Sequence, residues 1–192
     1  MRHLLVATTV LITALAGASQ AEDDVFAFVP PGGRVILGNA LAAGLPPAEY
    51  EKLITGKKSR AEWNAYLSAA IRTIPAYGAL DERARDTLAA YLAANMPLST
   101  YTGKTIGTGG HDLPRDGRDL TLEYCQSCHI ITVVVTQARS REAWLGTMNK
   151  PSHVEIDTTP GERQALADYL ERNGGIPIEQ IPEELRAGGA TY

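Results

Sequence analysis

The two cysteines of this 192-residue chain lie three positions apart and are followed at once by a histidine, in Cys125-Gln126-Ser127-Cys128-His129. This Cys-x-x-Cys-His pattern is typical of covalent c-type haem attachment. Two thiols one helical turn apart can each add to one of the two vinyl groups of a haem, and the adjacent imidazole can then bind the iron. The sequence therefore predicts one haem c attached through Cys125 and Cys128, with His129 as the proximal iron ligand.

Three other kinds of site could use the same residues. A thioredoxin-like dithiol is expected in a βαβ context, whereas the flanks of this motif look helical. A zinc site with two cysteines and two histidines needs a further histidine, and beyond the leader only His111 and His153 remain. A disulfide across two residues closes a very small loop and stabilises little. We favour haem attachment and keep the other three as alternatives.

The first 21 residues have the pattern of a secretory signal peptide. Arg2 precedes an apolar run from Leu4 to about Leu15, and small residues lead to a cleavage site after Ala21. A retained membrane anchor is the alternative, although the segment is short and wrongly flanked for one. We therefore expect a periplasmic protein with no membrane span after cleavage. In an oxidising compartment, two thiols form a disulfide unless other chemistry uses them, which strengthens the haem interpretation.

Charge and length exclude several classes of function. Lys and Arg total 18 against 22 Asp and Glu, a net charge of −4 that argues against a nucleic-acid partner. The chain without its leader is long enough for one medium domain or two small ones. Outside the haem motif, no paired carboxylates, serine-base arrangement or phosphate loop has a diagnostic spacing, and we do not expect an enzyme.

The region around the motif resembles the cytochrome c family. Asp116-Gly117-Arg118 leads into the attachment motif, as a helix beginning near a Gly-Arg pair does in that family. Thr159-Pro160-Gly161-Glu162 is a capping box that starts a later helix, which contains a Tyr169-Leu170 pair and runs to Asn173. The resemblance implies an all-α haem domain over 116–173, whose last helix packs crosswise on its first.

The part before this domain looks like a second copy of the same unit. Ser59–Trp63 matches Ser140–Trp144 at an offset of 81, and Leu88–Asn95 matches Leu166–Asn173 at an offset of 78. Such self-similarity predicts a tandem duplication. Two unrelated helical modules that match by chance are the alternative, because short matches carry a false-positive risk.

The first copy, 22–98, has neither cysteine nor histidine. Gly44–Ala48 stands where the haem motif would be, and Ile74-Pro75-Ala76-Tyr77 resembles the methionine ligand loop of the family with Ile in place of Met. We predict a haemless cytochrome-like module. An apolar void left by a lost haem is destabilising, so we expect aromatic side chains to fill it, the candidates being Phe26, Phe28, Tyr50 and Tyr66.

Two segments lack the pattern of long helices. The stretch 99–115 is rich in Gly and Thr and is predicted to be a linker between the modules. The stretch 174–192 is interrupted by Gly and Pro. It is either a segment that packs across a partner or the modules, or a loosely packed C-terminal tail.

The sixth iron ligand has two main candidates. Met148 lies four residues after Trp144, and methionine is the usual ligand in the family. His153 stands 16 residues before Tyr169, close to the 17 that separate Ile74 from its equivalent tyrosine. We favour His153 with Met148 as the alternative. Weaker candidates are Met96, His111 and an open site.

The resemblance also suggests residues around the porphyrin. Arg139, Arg141 and Trp144 lie where cytochromes often place donors to the haem propionates, although arginines on a solvated helix face are the alternative. The apolar stretch Ile130–Val135 would form the proximal wall, or core packing alone.

These features predict an all-α protein of two cytochrome c-like modules, of which the N-terminal one is haemless. The function they indicate is that of a periplasmic monohaem cytochrome that carries single electrons between a dehydrogenase and a downstream acceptor. Two alternatives stay open. One is a cytochrome subunit tightly bound in a periplasmic oxidoreductase complex, and the other is a haem sensor or peroxidase-like protein with an open distal site.

Overall fold

The computed structural model describes residues 25–78, 80–98 and 112–186. All regular structure within these ranges is helical, which confirms the all-α fold class. The predicted signal peptide, positions 99–111 of the predicted linker, and positions 187–192 lie outside the described residues. None of the helices in the described ranges is both long and apolar enough to cross a bilayer.

The first half of the fold, 25–98, is built around one long helix. Its helices are α1 (Gly33–Ala42), α2 (Pro47–Thr55), α3 (Arg60–Ala70) and α4 (Glu82–Asn95), with a 3₁₀ turn at Pro75–Tyr77. Helix α4 packs against both α1 and α3. The sequence sets the start of α3, because the Ser59 hydroxyl accepts the Glu62 N–H while the Glu62 carboxylate accepts the Ser59 N–H.

The second half, 112–186, repeats this plan. Its helices are α5 (Gly117–Leu120), which continues as a π-helical turn over Thr121–Cys125, then α6 (Ile131–Val135), α7 (Arg141–Met148), α8 (Pro151–Val154) and α9 (Pro160–Asn173). Helix α9 packs against both α5 and α7. The predicted capping box is present at Thr159 and Glu162, and the predicted helix to Asn173 is confirmed.

Each half has its own apolar core. The first cluster gathers buried side chains of α1 to α4, with Leu37, Leu53 and Trp63 among the most enclosed. The second cluster gathers side chains of α5, α6, α7 and α9, with Leu120 and Leu170 among the most enclosed. The helices of each half thus bury most of their apolar faces in a core of their own.

The segment that precedes the first helix of each half packs into the core of the other half. Val29, just before α1, is buried in the second cluster, while Leu113, just before α5, is buried in the first. Phe26 and Phe28 accompany Val29 and pack against the second cluster. The expectation that these two phenylalanines fill a slot in the first half is therefore wrong, because their segment packs on the other half.

The other two predicted fillers do lie in the first half. Tyr50 is buried in the first cluster and Tyr66 packs against it. Tyr77, which the sequence did not single out, is fully buried there as well. The hydroxyls of Tyr66 and Tyr77 both donate to the buried Glu49 carboxylate.

A close glycine–tyrosine contact marks the same helix crossing in each half. A Cβ placed on Gly33 would lie 2.2 Å from the Cβ of Tyr91, and one on Gly117 would lie 2.2 Å from that of Tyr169. Only a residue without a side chain allows the helices to approach so closely. The predicted packing of α9 on α5 is present.

The two halves are joined by reciprocal hydrogen bonds. The Tyr91 hydroxyl donates to the Pro114 carbonyl at 2.9 Å, and the Tyr169 hydroxyl donates to the Pro30 carbonyl. The buried Asp116 carboxylate, which caps α5, also accepts the backbone N–H of Arg34 at 2.7 Å. The segment that precedes the first helix of each half is thus hydrogen-bonded to a tyrosine of the other half, and the starts of α1 and α5 are hydrogen-bonded to each other.

The C-terminal segment 174–186 is packed rather than loose. Ile176 and Ile181 are buried in the second cluster, and the Ile176 N–H donates to the Val135 carbonyl at 3.0 Å. Of the two alternatives for this stretch, its described part follows the first, because it covers the second core.

We expect Gly117→Ala to lower the free energy of unfolding by about 1–3 kcal/mol, the usual cost of overpacking. The added methyl would meet the Tyr169 Cβ and the Ala165 carbonyl, which lies 2.4 Å from its position. Gly146→Ala is the matched control, since a Cβ there meets nothing within 4 Å. It should raise stability by up to about 1 kcal/mol, as Ala does over Gly in a helix. Urea unfolding measures both, and equal stability of the two variants would contradict the close crossing.

Candidate functional site

A cavity of about 490 Å³ lies in the second half of the fold. Cys125, Cys128 and His129 line one side, and Met148 and His153 also line it. The structure therefore brings together the whole predicted attachment motif and both main candidates for the sixth ligand.

The helix that starts at Gly117 delivers the motif to the cavity. Its π-helical turn ends at Cys125, whose carbonyl accepts the N–H of His129 at 3.0 Å and that of Cys128 at 3.4 Å. This tight turn brings both cysteines and the imidazole to the same cavity. Cys125 is partly buried, whereas Cys128 is exposed, and no disulfide joins them.

The environment of Cys125 does not favour its thiolate form. Burial, and next to it the neighbouring Cys128, raises the pKa of the Cys125 thiol to about 11. Reactive dithiol sites instead lower the pKa of their attacking cysteine. The alternative of a thioredoxin-like dithiol is thus less well supported than it is by the sequence motif alone.

His153 faces His129. The centres of the two imidazole rings are 6.1 Å apart, and the ring planes are inclined by 19°. His153 lies on the one-turn helix α8, and the hydroxyl of Ser152 is 3.0 Å from its Nδ1.

Met148 lies at the C-terminal end of α7 and is buried. Of the weaker candidates for the sixth ligand, Met96 lies in the first cluster, away from the cavity, and His111 is outside the described residues. Among the described residues, then, His153 and Met148 are the candidates that reach the cavity.

The three residues predicted to contact propionates separate into two groups. Arg139 and Trp144 line the cavity, and the Arg139 guanidinium lies 4.8 Å from the centre of the Trp144 ring. The Trp144 Nε1–H is buried and has no hydrogen-bond partner among the described residues. Arg141 instead binds Asp168 at 2.7 Å and Gln164, and it lines a surface groove away from the cavity.

The predicted proximal wall is also divided. Val133 and Val134 line the cavity, while Ile131 and Val135 are buried in the second cluster. Ile130 is 56% exposed. Helix α6 therefore contributes one face to the cavity and the other to the core.

Arg163 is a cavity residue that the sequence analysis missed. Its guanidinium donates to the carbonyls of Met148 at 2.7 Å, Ile156 at 2.9 Å and Val154 at 3.0 Å. In the sequence it looks like any arginine in the first turns of an amphipathic helix. Its partners are backbone carbonyls, which leave no trace in the side-chain pattern.

No protein-family model, curated protein sequence or solved structure matches the chain. The functional argument therefore depends on the site itself. Within the described residues, no group of three or more His, Cys, Asp or Glu side chains is placed to hold a metal ion.

We expect the two cysteines of the reduced, haem-free chain to differ strongly in reactivity. Cys128 is exposed, whereas Cys125 is partly buried with a pKa of about 11. Because the thiolate is the nucleophile, brief iodoacetamide treatment near pH 8 should modify Cys128 first. Peptide mass spectrometry measures the two rates, and faster labelling of Cys125 would show that its environment is not the one described.

Proposed function

We propose that this chain is an exported monohaem c-type cytochrome that carries single electrons between a dehydrogenase and a downstream acceptor. Cys125 and Cys128 would hold the haem covalently, His129 would be its proximal ligand and His153 its sixth ligand. The observation that carries the proposal is the pair of nearly parallel imidazoles, with ring centres 6.1 Å apart, in the same cavity that both cysteines line.

The distance between the rings fits a shared iron. Two imidazoles that each bound the same iron through a nitrogen at about 2 Å would have ring centres about 6 Å apart. The His129 and His153 ring centres lie 6.1 Å apart.

The donor set also fits a haem better than a bare ion. A haem iron takes four ligands from the porphyrin and needs only two from the protein. The described residues offer no cluster of three protein ligands, which a zinc site would require. The cavity volume of about 490 Å³ lies in the range of small-molecule and cofactor sites.

The buried indole N–H of Trp144 has no partner among the described residues, so an acceptor within the cavity could bind it. A buried donor without a partner is destabilising, and such groups usually have one. A propionate carboxylate could accept this N–H, and the nearby Arg139 guanidinium would offset its charge. Arg141 has no part in this proposal, because Asp168 and Gln164 hold it elsewhere.

A bound haem would supply reversible one-electron oxidation and reduction. The residues around it would determine its exposure to water and its reduction potential. Val133, Val134, Leu166 and Leu170 would exclude water and lower the local dielectric. Two imidazole ligands give a lower potential than one imidazole and one thioether, so ligation by His153 favours a lower-potential relay.

The first half supports the idea of a second cytochrome-like unit that lost its haem. It contains no cysteine or histidine. Ser59 and Ser140 cap equivalent helices. Lys58 lies 4.6 Å from the centre of the Trp63 ring, as Arg139 lies over Trp144 in the second half.

The interior of the first half is filled by its own side chains. Tyr66 and Tyr77 converge on the buried Glu49, close to the segment that replaces the haem motif. In the proposed function, this half serves as a rigid support, since α4 packs on α9 and the entry segment of each half is tied to the other.

We expect the full chain, expressed in the periplasm with a cytochrome c maturation apparatus, to gain the mass of one haem that resists acid–acetone extraction. Exchange of both Cys125 and Cys128 for Ser should abolish this gain, because thioether formation needs the thiols. Ser127→Ala is the matched control and should keep the haem. A colourless wild-type chain with no added mass would overturn the proposed function.

Axial ligation can be tested by exchanging each candidate. Wild-type protein and Met148→Leu should both be six-coordinate and low-spin and should not bind carbon monoxide in the ferrous state. His153→Ala should bind carbon monoxide, or should acquire the near-infrared sulfur-to-iron band of methionine ligation if Met148 takes its place. Such a band in the wild-type protein would show that Met148 is the ligand. Carbon monoxide binding by the wild type would favour the sensor or peroxidase-like alternative.

A further inference from the structure

The segment that carries His153 has little of its own to hold it in place. Helix α8 is a single turn, and helices this short are not stable by themselves. Pro151, Ser152, Val154 and Glu155 around the histidine are all exposed. Apolar burial therefore cannot explain why the His153 ring faces His129.

One side chain ties both ends of this segment. Arg163 donates to the carbonyl of Met148 before α8, to that of Val154 at the last residue of α8 and to that of Ile156 after it, at distances between 2.7 and 3.0 Å. The planar guanidinium has five donors in a fixed fork, which suits several carbonyls at once. His153 lies between these anchor points along the chain.

The arginine stands on a firmly packed element. Helix α9 begins with the capping box of Thr159 and Glu162, and its Leu166 and Leu170 are buried in the second cluster. The same two leucines line the cavity, as does Arg163 itself. Arg163 therefore connects the cavity wall on α9 to the segment that carries His153.

We infer that Arg163 is a positioning residue, which fixes the segment 149–158 so that His153 can serve as the sixth ligand. The inference deepens the proposed function and rests on it for the role of His153. The part of the inference that Arg163 holds this segment in place depends only on its three hydrogen bonds.

The test compares Arg163→Met and Arg163→Lys with Arg72→Met, an exchange of an exposed arginine in the turn after α3. Methionine keeps much of the length without the donors, and binding of its thioether to the iron would be recognised by a near-infrared sulfur-to-iron band that the wild type lacks. Lysine keeps the charge as a single point on a flexible stem and cannot reproduce the planar fork. A purely electrostatic role would be rescued by lysine, whereas a positioning role would be rescued only slightly.

The first measurement uses the haem-loaded protein. We expect ferrous Arg163→Met to bind carbon monoxide and to show a high-spin fraction, because a loosened His153 leaves the iron part of the time. Arg163→Lys should show most of the same change, and Arg72→Met should match the wild type. Unchanged low-spin spectra in Arg163→Met would overturn the inference and leave the proposed function intact.

The second measurement is hydrogen exchange of the full chain as purified, which reports on the segment whether or not haem is attached. Peptides covering 149–158 should exchange about tenfold faster or more in Arg163→Met, since the loss of charge-assisted hydrogen bonds eases local opening. Peptides from α3 and α4 should be unchanged, which separates local loosening from general unfolding. Equal exchange in this segment would overturn the inference even in a chain that carries no haem, an outcome distinct from failure of the proposed function.

Discussion

The second half of the fold depends on the close approach of α9 to α5 at Gly117. The contact with Tyr169 leaves no space for a side chain, so it fixes the distance between the helix that delivers Cys125 and the helix that carries Leu166 and Arg163. Because the Cys125–His129 motif follows directly from α5, a change in the distance between these two helices would move the motif relative to the opposite wall of the cavity. The geometry of the cavity is thus set by backbone packing outside it, as is usual for sites placed on rigid elements.

The same close approach occurs in the first half at Gly33 and Tyr91. Because both halves share this contact, the packing of the cores themselves stabilises it. In the first half, the aromatic side chains and Glu49 occupy the interior, while in the second half a cavity lies between α6, α7 and α9. This difference follows from a few positions in otherwise similar helices.

The sequence allowed the all-α class, the helix from Pro160 to Asn173 and the residues that gather at the cavity to be predicted. Those predictions depend on local signals, namely caps, helical spacing and a five-residue motif. It did not allow the crossing of the entry segments to be predicted, and Phe26 and Phe28 were therefore assigned to the wrong core. Arg141 and Arg163 show the same limit. Their partners are a carboxylate and backbone carbonyls distant in sequence, and a side-chain pattern contains no information about either.

The exchange of Val29 and Leu113 between the cores makes the fold comparable to a dimer whose subunits have been fused. A polypeptide ending at Leu98 would contain Val29 but not the second core, which buries it. One starting at Asp112 would contain Leu113 but not the first core, which buries it. Each piece would expose one apolar side chain, Val29 or Leu113, that is normally buried in the core of the other piece. The connectivity therefore favours the reassembly of two separately made fragments over the stable folding of either fragment alone.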